Sequence, residues 1–196
     1  DDFRFGCDRS GDYSQLQRAG VEHDFAVDEL ATFESGGDRV SSTRLRAAVA
    51  AADFALARAL SGRDFFVAGH VVHGDKIGRT LGLPTANILM KRQVLPLRGV
   101  FAVWVDGIGD TPLPAVANVG TRPTVQGVQA RCEVHLLDYR GDLYGRRLRV
   151  RFAHKLRDEQ RFASLEALKS AIEADVIAGH HYFSAEGATA QKHAGN

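Results

Sequence analysis

Apolar residues recur at helical spacing in two parts of the chain and at strand spacing in the stretch between them. In residues 164–177, Leu165, Leu168, Ile172 and Val176 fall three or four apart behind Ser164, a side chain suited to cap a helix N-terminus, which predicts one amphipathic helix. Leu45, Val49, Leu56 and Leu60 make an earlier stripe from Ser42 onward; Asp53 marks a break into two helices, and Ser61-Gly62-Arg63 ends the second. Nearer the N-terminus the pattern predicts a short helix over residues 12–20 closed by Gly20, a short strand at Phe25-Ala26-Val27 and a polar turn at Ser35-Gly36-Gly37-Asp38.

The middle of the chain carries short apolar runs separated by glycine and proline. Strands are expected at Phe65-Phe66-Val67-Ala68 and over residues 101–105, 113–118, 131–137 and 148–152, a spacing that predicts an antiparallel barrel or sandwich. Pro84 fixes its own φ and biases Leu83 towards extended geometry, so a further strand starts there and runs into Ile88-Leu89. On that strand Thr85 and Asn87 share a face. In residues 131–137 the same alternation turns Cys132, Val134 and Leu136 towards the core, with Arg131, Glu133 and His135 opposite. Ser61-Gly62-Arg63 is the expected boundary between a segment at residues 1–62 and a domain at 63–183; residues 184–196, small, polar and glycine-containing, read as a mobile tail.

Composition narrows the classes. With 196 residues, 44% of them hydrophobic, the chain can bury one good core plus a smaller piece. The 25 Lys and Arg balance 24 Asp and Glu, so no field large enough for nonspecific nucleic-acid binding is present. Cys7 and Cys132 are far apart with no C-x-x-C, which excludes a disulfide scaffold and a zinc ribbon. No apolar stretch is long enough to span a bilayer, and the N-terminus as given carries no signal peptide.

Two groups of polar residues carry candidate chemistry. Gly69, Gly74, Gly78 and Gly82 let the backbone turn sharply and approach a ligand, while Lys76 and Arg79 supply positive charge for phosphate, although neither standard phosphate motif is present. Thr85 and Asn87 offer a hydroxyl and an amide oxygen, neutral ligands suited to a magnesium ion that takes its other oxygens from water and phosphates. Taken alone, such a pair more often satisfies a turn by local hydrogen bonds. Glu133, taken alone, reads as a solvated strand carboxylate paired with Arg131 or His135. His135 reads as structural, because metal ligation needs partners at suitable spacing that the sequence does not supply.

In chain order, residues 74–87 ending in GRTLGLPTAN, then Gly99-Val100-Phe101, Ala117-Asn118-Val119-Gly120-Thr121-Arg122-Pro123-Thr124, Glu133-Val134-His135-Leu136-Leu137-Asp138, Leu143-Tyr144-Gly145 and Leu156-Arg157-Asp158-Glu159 resemble the motifs of the riboflavin kinase family. The resemblance covers residues 63–183. It implies a mainly β domain, a small antiparallel Greek-key barrel with a C-terminal helix. It also implies transfer of the γ-phosphate of Mg-ATP to the ribityl 5′-hydroxyl of riboflavin, giving FMN. In that family Glu133 matches the general base and Thr85 and Asn87 hold Mg²⁺; Gly74, Lys76, Gly78, Arg79 and Gly82 belong to the nucleotide loop. Arg157 matches a position over the flavin, where a planar guanidinium could stack or pair with the product phosphate.

Asp2-Phe3-Arg4-Phe5-Gly6 and Val40-Ser41-Ser42-Thr43-Arg44-Leu45-Arg46 resemble the second half of the FMN adenylyltransferase module of bacterial bifunctional riboflavin kinase/FAD synthetases. Residues 1–62 are therefore expected to be an incomplete α/β Rossmann-like remnant. In that module Ser41, Ser42, Thr43 and Arg44 lie at a helix start near nucleotide phosphates, where free backbone N–H groups favour anions; a plain N-cap explains the serines equally well. The module's H-x-G-H-like element does not occur, so adenylyltransferase activity is expected only of a longer parent, of which this chain looks like a fragment. The resemblance further implies a cytoplasmic enzyme whose ligands are riboflavin, ATP and FMN, with no nucleic-acid or membrane partner. A flavin-binding module without turnover and a scaffold half of a larger FAD synthetase stay open as other readings.

Overall fold

The computed structural model describes residues 3–28, 31–74, 82–90, 95–124 and 127–193. Two compact units divide the chain, Asp1–Val40 and Ser41–Asn196. The first unit holds two antiparallel pairs of two-residue strands, β1 (Arg4–Phe5) with β2 (Gly11–Asp12) and β3 (Glu34–Ser35) with β4 (Asp38–Arg39). Between them runs helix α1 (Tyr13–Glu22), where the Asp12 carboxylate accepts from the Gln15 amide as N-cap. Gly36 and Gly37, both at positive φ, turn β3 into β4 where the polar turn was expected. The strand expected at Phe25-Ala26-Val27 is irregular backbone: Phe25 is exposed, and no strand among the described residues pairs with it.

The second unit begins at Ser41. Ser41 caps α2 (Ser42–Ala50) by accepting from the Arg44 amide at 3.1 Å, and Asp53 caps α3 (Phe54–Ser61) by accepting from the Leu56 amide at 2.9 Å. Gly62 closes α3 in the left-handed conformation, φ 71°. The break at Asp53 and the stop at Gly62 are as expected. Phe54 packs its ring on Phe101 and Phe152, at 6.0 and 5.8 Å between centroids, so α3 belongs with the barrel it helps to cover.

The barrel closes through β5 (Phe66–Val72), β6 (Ala86–Leu89), β7 (Gly99–Asp106), β8 (Leu113–Thr124), β9 (Gly127–Leu136) and β10 (Arg147–Arg157), in the order β10-β5-β6-β9-β8-β7, with every pairing antiparallel. Strands β7, β8 and β9 form a meander and β10 returns beside β7, which is a Greek key. Alternate residues fill the interior: Phe101, Val103, Val105, Ala115, Ala117, Val119, Cys132, Val134 and Val150 are all essentially inaccessible. Gly69 permits the close approach of β5 to the Leu89 carbonyl of β6, where a Cβ would collide with backbone.

Helix α4 (Leu165–His193) begins as predicted, with Ser164 accepting from the Ala167 amide at 3.1 Å, but it runs sixteen residues past 177. Residues 184–193, expected as a tail, continue this helix; Ala185, Ala188 and Ala190 are strong helix formers that outweigh Gly187. Its buried stripe is also offset by a turn. Leu165 is exposed, whereas Leu168, Ile172, Val176 and Phe183 are partly buried and Gly179 is fully so. Gly179 sets the closest approach, since a Cβ there would lie 2.6 Å from the Val116 Cγ2 of β8.

Candidate functional site

Register on the outer face of the barrel assembles the candidate residues. Asn87 of β6 lies opposite Glu133 of β9, Glu133 opposite Asn118 of β8, Asn118 opposite Val100 of β7, and Val100 opposite Arg157 of β10. Directly opposed residues share a face, so one cross-strand row carries Arg157, Val100, Asn118, Glu133 and Asn87. Glu133 and its neighbours fall on this face because Cys132 and Val134 occupy the interior, as the alternation predicted. The Arg131 guanidinium contacts the Glu133 carboxylate and reaches Asn87 Oδ1 at 3.5 Å, linking the last two members of the row. Glu133 is thus ion-paired and only a fifth exposed, neither isolated nor fully solvated.

A cavity of about 270 Å³ lies over this row. Its floor carries Thr85, Asn118, Arg131, Glu133 and His135, and its wall is the α4 stripe of Leu168, Ile172 and Val176, with Phe162. Half apolar wall and half polar floor is the usual composition of a site for an organic ligand with a reactive end. Arg157, the last residue of β10, enters it in a defined orientation: Nε and Nη2 each donate at 2.7 Å to the two carboxylate oxygens of Asp175, and Nη1 donates to the Asp158 carbonyl at 3.0 Å. Its cationic plane also lies 5.7 Å from the Phe162 ring. Arg157 is therefore no loose surface arginine.

A second cavity, about 690 Å³ and more open, adjoins the first. Thr85 and His135 line both. Pro84, Gly82, Tyr139, Leu143 and Tyr144 supply much of the rest, and Gly82 sits at φ 80°, a conformation that glycine adopts without strain. His135 Nδ1 lies 2.8 Å from the Pro84 carbonyl oxygen, which can only accept, so the ring carries its proton on Nδ1. That bond ties β9 to the start of β6 and agrees with the structural role expected for His135. Gly74 stands against the Asn87 amide, where a Cβ would come within 2.5 Å of Oδ1. Lys76, Gly78 and Arg79 lie outside the described residues.

The sequence-expected residues divide accordingly. Thr85, Glu133 and Arg157 line the first cavity and Gly82 the second, whereas Gly74 and Asn87 line a third, smaller one of about 130 Å³, with Asn87 opposite Glu133 by register. Ser41, Ser42, Thr43 and Arg44 form the start of α2 and line none of these cavities. Sequence reasoning missed Asp175, Phe162 and Glu159, all of which line the first cavity, and the Glu159 carboxylate rests against Gly120, leaving no room there for a Cβ. Phe162 and Glu159 adjoin Arg157 in a polar loop, a signal that local spacing alone does not separate from an ordinary surface connection.

The donor chemistry fits a divalent cation shared with phosphate. Thr85 and Asn87 offer a hydroxyl and an amide oxygen, a neutral pair of hard oxygens, with the Glu133 carboxylate opposite Asn87 and paired with Arg131. Among the described residues no group of three or more His, Cys, Asp or Glu gathers, so a cation here would draw its remaining oxygens from ligand and water.

Comparison with known proteins identifies the family. Residues 61–183 match the family model described as Flavokinase: Riboflavin kinase. The chain is 52% identical over 183 residues to the bifunctional riboflavin kinase/FMN adenylyltransferase of Escherichia coli strain K12, covering 93% of this chain and 58% of that protein. It is 60% identical over 179 residues to the protein of the same description from Pseudomonas fluorescens, covering 91% of this chain and 57% of that one. The chain thus spans under three fifths of the length of these relatives. A solved structure described as a macrolide-efflux protein from Streptococcus pneumoniae shares its fold with a TM-score of 0.66 at 33% identity, over 89% of this chain and 56% of that one. With most of its length matched by the family model and its candidate residues gathered on one barrel face, this chain belongs to the riboflavin kinase family.

Proposed function

We propose that this chain phosphorylates riboflavin, moving the γ-phosphoryl group of ATP to the ribityl 5′-hydroxyl to give FMN and ADP. The observation that carries the reading is the meeting of two cavities at Thr85 and His135, with Glu133 beside that junction. A phosphoryl transfer needs its acceptor and its donor on either side of one point, with a base near the acceptor oxygen. The isoalloxazine fills the first cavity against Phe162 and the α4 stripe, and its ribityl chain runs across the polar floor to Glu133. ATP occupies the second, its base among Leu143, Tyr139 and Tyr144 and its phosphates towards Thr85.

Glu133 accepts the proton of the 5′-hydroxyl as that oxygen attacks. Thr85 and Asn87 hold Mg²⁺, which when bound neutralises charge on the phosphates. Gly74, Lys76, Gly78, Arg79 and Gly82 contribute to nucleotide binding, as the family resemblance implies. Arg157, whose charge is already matched by Asp175, stacks on or borders the flavin more readily than it neutralises a phosphate. Conversion of FMN to FAD is proposed only for a longer parent of bifunctional type, in which the helix start at Ser41, Ser42, Thr43 and Arg44 lies near nucleotide phosphates and residues 1–62 complete a Rossmann-like module. Among the described residues no helix is long and apolar enough to cross a membrane, and we place the activity in the cytoplasm.

Incubating the chain with riboflavin, ATP and Mg²⁺ and resolving flavins by chromatography tests the reading. FMN should accumulate and excess EDTA should stop it. Absence of FMN refutes the kinase; FMN formation undiminished by EDTA refutes the metal role of Thr85 and Asn87.

A further inference from the structure

Asp175 is the one buried charged side chain among the described residues, 6% exposed, and it sits on α4 inside the wall of the first cavity. Burying a carboxylate is unfavourable unless it is fully paired, and packing the helix does not call for one, since Ile172 and Val176 already supply the apolar contact at that turn. What the carboxylate does uniquely is orient Arg157. Both oxygens take parallel donors, Nε and Nη2, at 2.7 Å, the two-point geometry that fixes a guanidinium in plane as well as in position. A guanidinium has five N–H groups; Asp175 and the Asp158 carbonyl use three, leaving two N–H and the face turned away from Phe162 for a ligand.

We propose that Asp175 is a positioning residue for flavin binding: it holds Arg157 in the orientation that meets the flavin and cancels its charge, so that the cavity favours a neutral ring system. The proposal rests on the first cavity being the flavin site. Arg151 provides the internal contrast. It forms a similar pair with Asp106, Nε donating at 2.9 Å and Nη2 at 3.3 Å, yet neither residue lines any of the three cavities, so that pair only braces strands.

The test compares Asp175→Asn, Arg157→Ala, the double variant and Asp106→Asn, each assayed for riboflavin KM, ATP KM, kcat, thermal midpoint and riboflavin fluorescence quenching without nucleotide. Asp175→Asn keeps the shape of the side chain and so the fold. Loss of one charge-assisted clamp should raise riboflavin KM and the quenching Kd about tenfold, with ATP KM within about twofold. The double variant should be no worse than Arg157→Ala alone, because both changes remove the same device. Asp106→Asn should lower the midpoint and leave riboflavin KM unchanged. Equal rises in both KM values, multiplicative effects in the double variant, or an unchanged riboflavin Kd in Asp175→Asn would each overturn the proposal. If wild-type chain quenches riboflavin but forms no FMN, the kinase reading fails, and the quenching series still decides the role of Asp175.

Discussion

Glu133→Gln separates chemistry from architecture at the centre of the site. The substitution keeps side-chain length and one acceptor oxygen for Arg131, and removes only the basic carboxylate. Its structural effect is small: Glu133 and Arg131 are 21% and 31% exposed, and partly solvated pairs are worth about 1 kcal/mol or less. Its chemical effect is large if Glu133 is the base, since general-base contributions run about 10²- to 10⁴-fold, or roughly 3 to 5 kcal/mol in activation free energy. The two magnitudes differ enough to be read independently. Single-turnover FMN formation, with enzyme in excess over riboflavin and saturating Mg-ATP, measures the chemical step, while riboflavin quenching and thermal melting report binding and fold. The expected outcome is a rate at least about 100-fold lower with a riboflavin Kd within about threefold of wild type. A single-turnover rate within about threefold of wild type would sink the assignment and leave Glu133 as the ion-pair partner of Arg131.

Asn87→Ala should raise the KM for Mg-ATP about tenfold with little loss of thermal stability, and Gly74→Ala should do the same because its Cβ would displace the Asn87 amide; a fall in melting temperature with unchanged KM would instead mark Asn87 as a turn residue. Cys132 is buried inside the barrel, and desolvation first, with the Glu133 charge second, pushes its thiol from 9.0 up to about 12. Native protein should therefore release one equivalent of thiol with a disulfide reagent, from exposed Cys7, and two in denaturant; fast labelling of both in the native state would contradict the burial. Because the folded pKa lies above the unfolded one, the stability Cys132 contributes is complete below about pH 9 and is lost as pH rises from there towards 12, so a Cys132→Ala variant should show a shallower decline over that window.

Much of the site was legible because a strand has period two. Knowing that Cys132, Val134 and Leu136 face inward is enough to turn Glu133 outward, and Pro84 is enough to start an extended segment that turns Thr85 and Asn87 the same way. What local pattern does not contain is which strands become neighbours. The opposition of Asn87 to Glu133 spans 46 residues, and the clamp between Arg157 and Asp175 joins a strand end to the middle of a helix. The packing of α3 has the same origin: Gly62 ends a helix as expected, but only the ring contacts of Phe54 with Phe101 and Phe152 show that the helix lies against the barrel. Helix length was underread for a different reason, since the small, polar residues from Ser184 onward signal a tail by polarity and a helix by propensity.

The same register that builds the core also builds the chemistry, and this ties stability to function at β9 more tightly than elsewhere in the barrel. Cys132 and Val134 are locked inside between β6 and β8, so Glu133 has no freedom to face any other way. A slip of one residue would bury Glu133 and Arg131 and expose two core side chains, an exchange far too unfavourable to be populated. The position of Glu133 relative to Asn87 and Asn118 is therefore set by apolar packing on the opposite face of the same strand, without any polar contact having to hold it. Side chains at strand ends, such as Arg157, and those on loops or α4 have no such guarantee. Arg157 reaches the cavity from a strand end at which β10 slips register against β7, and there a polar clamp takes over the task that the pleat performs in the sheet.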